Sequence, residues 1–239
     1  MSIQKLVGKK AIVTGGTRGI GRAIARMLLE EGAEVAICGR SEAGTTRAVS
    51  ELRGETGGCI YGAACDVSCP EAIQKFFAFV DDKLGSLDIL VNNAGVGRFG
   101  SVADLEAGEW HRTLDTNLNS VFHFCHLAIP RFRARGGGFV VNISSLAARN
   151  AFAGGAAYNA SKFGLNGFSE ALMLDHRHEG IRVCVVMPGS VSTEFSGAAG
   201  LASWKIQPQD VAEVVRMVLT MPERTMVSLV EMRPSRPAK

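Results

Sequence analysis

The chain has 239 residues, 46% of them hydrophobic and 21% charged, with a formal net charge of +3. That balance is ordinary for a folded globular protein and gives no basic excess to attract nucleic acid or an acidic membrane surface. Six cysteines stand without CxxC pairs or His-linked spacing, which argues against a metal site and for free thiols in a reducing compartment.

Segment 1–10 carries charge but no apolar signal core, and no stretch reaches the roughly 20 apolar residues of a membrane helix. The expected location is the cytoplasm. From there the chain alternates short apolar runs with longer helical patterns. Ala11-Ile12-Val13 reads as a buried strand, and 20–31 as a helix with apolar positions at Ile24, Met27 and Leu28, ended by Gly32. Val35-Ala36-Ile37-Cys38 is a second strand, followed by a polar helix over about 42–53. A third strand is expected at 59–64, and a helix at 70–84 with Pro70 at its start, where a missing N–H costs little. Ile89-Leu90-Val91 is a fourth strand.

The second half repeats the pattern. One long helix is expected over 109–133, with Pro130 a candidate break near its end. Strand 139–143, helix 158–178 with a stop at Gly180, strand 183–186, helix 211–219 and a last strand at 226–230 follow. Strands separated by helices of this length imply right-handed crossovers and a mostly parallel sheet covered on both faces. The near-continuous apolar strands agree with that burial. No linker or repeat divides the chain, so residues 1–239 are expected to form a single α/β, doubly wound, Rossmann-like domain. Its ligands belong beyond the carboxyl ends of the strands.

Chemistry-bearing residues gather at those ends. Between the first strand and helix stands Thr14-Gly15-Gly16-Thr17-Arg18-Gly19-Ile20-Gly21. Glycines permit a tight turn and bring backbone N–H groups close to a pyrophosphate, with a helix N-terminus facing its charge. The second strand ends in Gly39-Arg40, where an NAD-binding unit usually carries an acid for the adenosine ribose. A guanidinium there can hold a 2′-phosphate, and Arg18 can approach it from the glycine loop. NADP(H) is therefore the favoured cofactor, with NAD(H) the alternative.

Tyr158 and Lys162 stand four apart on a helix, one turn from each other on one face. A free phenol is a poor base at neutral pH, and a neighbouring ammonium lowers its pKa. Ser145, at the end of the fifth strand, can bring a hydroxyl beside that phenol, whereas Ser144 reads as a structural neighbour. Asn92-Asn93-Ala94-Gly95 follows the fourth strand, and Asn117 lies in the long helix, with Asn119 secondary to it. The histidines suggest no metal, and Phe76, Phe77 and Phe79 fit helix packing. Phe99, Phe152, Phe195 and Trp204 flank the motifs in loops, either lining an apolar substrate pocket or simply packing.

Taken jointly, T-G-x-x-x-G-x-G, N-N-A-G, the helical Asn, Ser145, Y-x-x-x-K and Pro188-Gly189 resemble the short-chain dehydrogenase/reductase family in its standard, non-extended form. They occur in family order from Thr14 to about Thr193. The resemblance implies an NAD(P)-dependent oxidoreductase reducing a carbonyl to an alcohol by hydride transfer. It implies that Gly15, Thr17, Arg18, Gly19 and Ile20 surround the cofactor phosphates and that Arg40 reads the adenosine ribose or its phosphate. Asp66 and Val67 would flank the adenine, with Asn93, Ala94 and Gly95 along the cofactor. Pro188, Gly189, Val191 and Thr193 would surround the nicotinamide and its carboxamide. Tyr158 would deliver the proton, Ser145 orient the carbonyl, Lys162 hold the nicotinamide ribose and lower the phenol pKa, and Asn117 hold a relay water. Homodimers or homotetramers through the two long helices are implied as well, with a small-molecule carbonyl or alcohol as substrate and no nucleic acid or membrane partner.

The tail departs from some relatives. Segment 193–207 stands where a substrate loop is expected and contains the small-residue stretch Ser196-Gly197-Ala198-Ala199-Gly200. The ending lacks the D-G-G common in 3-oxoacyl-carrier-protein reductases. That specific reductase and a non-catalytic NAD(P)-binding redox sensor stand as the alternatives.

Overall fold

Among the residues described by the computed structural model, 5–196 and 202–237, seven strands form one sheet. They are β1 (Lys10–Thr14), β2 (Glu34–Gly39), β3 (Ile60–Ala64), β4 (Ile89–Asn92), β5 (Gly138–Ile143), β6 (Ile181–Pro188) and β7 (Leu229–Met232). Their order is β3-β2-β1-β4-β5-β6-β7, and every pair is parallel. The described helices are α1 (Gly19–Glu30), α2 (Glu42–Thr56), α3 (Pro70–Leu84), α4 (Ala107–Leu114), α5 (Ser120–Ala134), α6 (Ala156–His176) and α7 (Pro208–Leu219). No described helix is long and apolar enough to cross a membrane.

The pleat divides the apolar runs between two cores. Val13, Ile37, Val91, Val141 and Val186 face α1, α2 and α7, while Ile12, Ala36, Leu90, Val140 and Val183 face α3, α5 and α6. Successive residues of one strand thus serve opposite layers, which is why both must be apolar. The second layer is the aromatic one: Phe76, Phe77, Phe124 and Phe132 are fully buried there.

After β1 the chain builds outward through β2 and β3, then returns to place β4 on the other side of β1. The crossovers on the two sides of β1 leave in opposite directions, so a crevice opens at the carboxyl ends of β1 and β4. The glycine loop enters it from β1 and the Asn92–Gly95 motif from β4.

Three expectations change in detail. The long helix is interrupted: α4 gives way at Asp115–Asn119 to one wide π-helical turn before α5 begins. Asn117 lies within that turn, and π-turns of this kind gather at functional positions. Pro130 does not break α5, which continues to Ala134. The bond it forfeits belongs to the His126 carbonyl on the exposed side, and the neighbouring Leu127 carbonyl accepts from the Arg131 guanidinium. The last strand is Leu229–Met232 instead of 226–230. It is an edge strand with half-exposed residues, so an apolar run marks it poorly. Gly180 ends the α6 region as expected, in the left-handed region at φ 72°. All six cysteines are free thiols; Cys38, Cys65, Cys125 and Cys184 are buried.

Candidate active site

The crevice is tied together by Thr14. Its hydroxyl oxygen accepts from the backbone N–H groups of Asn93 (2.9 Å) and Ala94 (3.0 Å), joining the end of β1 to the loop after β4. The Asn93 amide donates back to the carbonyls of Thr14 (2.9 Å) and Gly15 (3.2 Å). Such closeness demands glycine. A Cβ on Gly15, which sits at φ +64°, would lie 3.0 Å from the Ala94 Cα. One on Gly21 would lie 2.3 Å from the Gly15 carbonyl oxygen.

The helix that this loop feeds is left open at its N-terminus. No side chain caps α1, and no acidic residue occupies its first turn. By contrast, Ser41 caps α2 and Gln207 with Asp210 forms a capping box on α7. Uncapped N–H groups beside a glycine cradle present partial positive charge to an anion.

Toward β2, Gly39 abuts the same loop: a Cβ there would meet the Thr17 Cγ2 at 2.5 Å. No side chain fits at 39, so Arg40 is the first residue after β2 able to reach a ligand, and it is exposed. Asp66, after β3, accepts from the backbone N–H (3.0 Å) and hydroxyl (2.7 Å) of Ser68. Those bonds, helped by the charges of Arg40 and Arg112, hold its carboxyl below the usual value. Val67 beside it is buried. Arg18 is ion-paired to Glu194 at 2.9 Å, both side chains largely exposed. The glycine loop and the segment after β6 therefore face one another, and Gly19 and Thr193 meet in the same place.

That segment closes the other end. Pro188 ends β6, and the Gly189 N–H donates to the Met232 carbonyl at 2.8 Å. Val191 forms a lone bridge with Ile206. Within the expected loop 193–207, residues 197–201 lie outside the described residues.

The third group stands over β5 and α6. Asn117 is buried, its Oδ1 accepting from the Val96 N–H (2.8 Å) and its Nδ2 donating to the Val96 carbonyl (2.9 Å) and the Ser161 hydroxyl (3.0 Å). Ser161 in turn donates to the Tyr158 carbonyl at 2.7 Å. The π-turn is thereby fixed both to the loop after β4 and to the first turn of α6. Ser145 follows β5 in extended backbone and caps a short 3₁₀ turn, Leu146–Ala148. Its hydroxyl accepts from the Ala147 N–H at 3.1 Å and also acts on the Tyr158 phenol, lowering its pKa. Ser144, as expected of a structural neighbour, is buried and spends its hydroxyl on the Asn166 Oδ1 at 2.8 Å.

Lys162 is buried, and its ammonium donates to the Ile143 carbonyl at 2.9 Å. Nζ stands 5.8 Å from the centre of the Tyr158 ring. The two pKa values move for one reason. Burial brings the Lys162 ammonium down to about 8. Burial pushes the Tyr158 phenol up, opposed by the Ser145 hydroxyl. The net direction is upward, so the phenol is protonated at neutral pH, as a free phenol is.

Phe99 and Phe195 pack on the Tyr158 ring and Phe152 packs on Phe99; Trp204 does not belong with them and carries the Lys205 ammonium 5.7 Å from its ring. Several positioning residues carry no sequence expectation of their own. Asn159 donates to the Ala147 carbonyl at 2.7 Å, and Ser161, Asn166 and Val96 have the contacts above. Asn159 and Ser161 lie inside the Y-x-x-x-K stretch, which was the available signal.

Residues 9–202 match the family described as short chain dehydrogenase. The chain is 38% identical over 213 residues to dehydrogenase/reductase SDR family member 4 of Oryctolagus cuniculus, covering 89% of this chain and 81% of that protein. It is 39% identical over 196 residues to the 3-oxoacyl-[acyl-carrier-protein] reductase FabG of Chlamydia muridarum, covering 80% and 77%. Among solved structures, a metagenomic short-chain oxidoreductase in complex with NADP superposes with a TM-score of 0.86 at 36% identity, covering 98% of this chain and 100% of that one.

The depressed Lys162 pKa makes a signed prediction. Unfolded, the side chain keeps its proton up to its ordinary 10.5; folded, it releases it near 8. The unfolded state binds more protons across that window, so this group's contribution to stability rises with pH from about 8 to 10.5. Below 8 the full cost of a buried charge is present, on the order of 3 kcal/mol. Chemical denaturation of Lys162→Met should show its largest stability gain over wild type at pH 7, shrinking toward pH 10.5. A gain independent of pH would contradict the assignment.

Proposed function

The chain belongs to the short-chain dehydrogenase/reductase family of oxidoreductases, and on that premise we propose that it reduces a small-molecule carbonyl to an alcohol with NADPH, Tyr158 donating the proton. The observation that carries this reading is the placing of Ser145 and Lys162 beside the half-buried, protonated phenol of Tyr158. The glycine cradle and the uncapped α1 fit a pyrophosphate, held by Gly15, Thr17, Arg18, Gly19 and Ile20. Arg40 would take the 2′-phosphate, Asp66 and Val67 the adenine, and Asn93, Ala94 and Gly95 the inner edge of the cofactor. Lys162 would hold the nicotinamide ribose, and Pro188, Gly189, Val191 and Thr193 the nicotinamide end. Bound there, the cofactor supplies the hydride that a carbonyl carbon accepts.

The protein's own part is proton and charge. Ser145 donates a hydrogen bond to the carbonyl oxygen as negative charge develops on it. Tyr158, kept protonated by burial, gives that oxygen its proton. Asn117 acts through Val96 and Ser161, fixing the start of α6 and hence the phenol. The likeness to the Chlamydia reductase favours 3-oxoacyl thioesters as a second reading of the substrate. The free thiols support a cytoplasmic location.

A panel of ketones, diketones and 3-oxoacyl thioesters, run with NADPH deuterated at the transferred position, tests the activity. Deuterium should appear on the carbinol carbon of at least one product. Cofactor binding without turnover of any carbonyl would favour a redox sensor instead. In the same panel NADPH should exceed NADH in kcat/KM by about tenfold or more, as one charge-assisted contact supplies. Arg40→Asp should reverse that order; equal use of both cofactors by the wild type would sink the 2′-phosphate assignment.

The reading extends to assembly. Phe122 on α5 and Phe163 and Leu174 on α6 are about half exposed, which supports a second copy of the chain docking on these helices. Light scattering should find a dimer or tetramer, and Phe163→Glu should dissociate it. A monomeric wild type would refute this.

A further inference from the structure

We infer that the substrate carries a neutral aromatic ring close to its carbonyl, and that Phe99, Phe152 and Phe195 select it. The inference rests on the reading of Tyr158 as the proton donor and adds the shape and chemistry of what is brought to it.

Three loops contribute, one each from the carboxyl ends of β4, β5 and β6, and each delivers a phenylalanine to the same place. The Phe99 ring stands edge-on to Tyr158, 5.7 Å between centroids and 72° between planes. Phe195 lies 5.8 Å from Tyr158 on a tilted plane, and Phe152 lies 5.7 Å from Phe99. These are the separations and tilts that aromatic pairs favour. Yet the rings are far from buried: Phe99 is 52% exposed, Phe152 46% and Phe195 41%. A folded chain gains little by leaving three phenyl groups half in water around its own catalytic phenol. Their open faces and edges are suited to cover another flat apolar body.

The loops are built to keep them there. Gly97 leaves room for two of the rings: a Cβ at that position would lie 2.8 Å from the Phe99 Cζ and 2.9 Å from the Phe195 Cε1. The Gly100 N–H donates to the Gly154 carbonyl at 2.8 Å, tying the Phe99 loop to the Phe152 loop. Gly155 lies beneath Phe152, where a Cβ would come 2.7 Å from its Cε2. The guanidiniums nearest in sequence are already paired, Arg98 with Glu109 at 3.0 Å and Arg149 with Glu231 at 2.8 Å. The rim thus favours a neutral ring over a carboxylate or phosphate. A ring held among these phenylalanines, with its carbonyl within one or two bonds, brings the carbonyl oxygen to the Tyr158 and Ser145 hydroxyls.

Phenylacetone and cyclohexylacetone test this, because they share size and carbonyl chemistry and differ in aromaticity; 2-butanone serves as the small reference. With NADPH, wild type should favour phenylacetone over cyclohexylacetone in kcat/KM by about fivefold or more, the order expected from one or two aromatic pairs. Phe99→Leu and Phe152→Leu keep apolar bulk and should lower kcat/KM for phenylacetone about fivefold more than for cyclohexylacetone or 2-butanone. Equal wild-type efficiency with the two larger ketones, or variants that lose both alike, would overturn the inference. Calorimetric binding of phenylacetone to the enzyme–NADP⁺ complex, where no reduction can occur, reads the site independently of turnover. Tighter binding than cyclohexylacetone, weakened by Phe99→Leu, supports the aromatic site even if no carbonyl in the panel is reduced, which would instead defeat the reductase reading. Equal binding of the two overturns the aromatic site and leaves the reductase reading intact.

Discussion

The Thr14 hydroxyl joins the parts on which the site depends. It stands at the carboxyl end of β1, where the sheet reverses its direction of growth, and accepts two backbone N–H groups from the loop after β4. The return bonds from the Asn93 amide make the connection reciprocal. Without this clamp the two loops would be independent excursions from neighbouring strands. With it, they form one rigid floor, drawn so tight that Gly15 and Gly21 have no space for a methyl group. Buried N–H groups left without the hydroxyl would each cost about 1–3 kcal/mol. The floor is therefore held at the position where a phosphate would approach the open end of α1.

A second clamp sets the proton chemistry. Asn117 holds Val96 by both its backbone groups and reaches Ser161, whose hydroxyl grips the carbonyl of Tyr158. The loop after β4 is thus common to both clamps: Asn93 and Ala94 face the glycine loop, and Val96, a few residues on, faces α6. The glycine-loop floor and the Tyr158 phenol are positioned from one short segment. Burial then does the electrostatic part, holding the phenol protonated and drawing the lysine ammonium down to about 8.

Much of this was legible in the sequence, for identifiable reasons. Strands buried on both faces are continuous apolar runs, so β1, β2, β4, β5 and β6 stand out, whereas β7 sits at the edge and does not. The glycine loop and Y-x-x-x-K were readable because their chemistry constrains residue type at fixed spacing. The π-turn was not, since the apolar pattern of 109–133 runs through it and Asn117's bonds to Val96 and Ser161, distant in sequence, anchor the wider turn. Pro130 is read as a break for a related reason: the His126 carbonyl it leaves unpaired is on the exposed face, and exposure is a tertiary property. The direction of the Tyr158 pKa depends on desolvation, which spacing does not show. The packing of Phe99 and Phe195 on the Tyr158 ring, with Phe152 on its neighbour Phe99, likewise required three loops to be seen together.

The central claim is that one hydroxyl, on Tyr158, protonates the substrate. Tyr158→Phe removes only that oxygen and leaves the ring among its aromatic neighbours. Steady-state turnover of the best carbonyl substrate, measured beside NADPH affinity, tests it most directly. The account predicts a fall in kcat on the order of a thousandfold, the usual scale for losing a positioned acid, with the NADPH Kd changed by less than about threefold. A variant that kept kcat within about tenfold of wild type would contradict it.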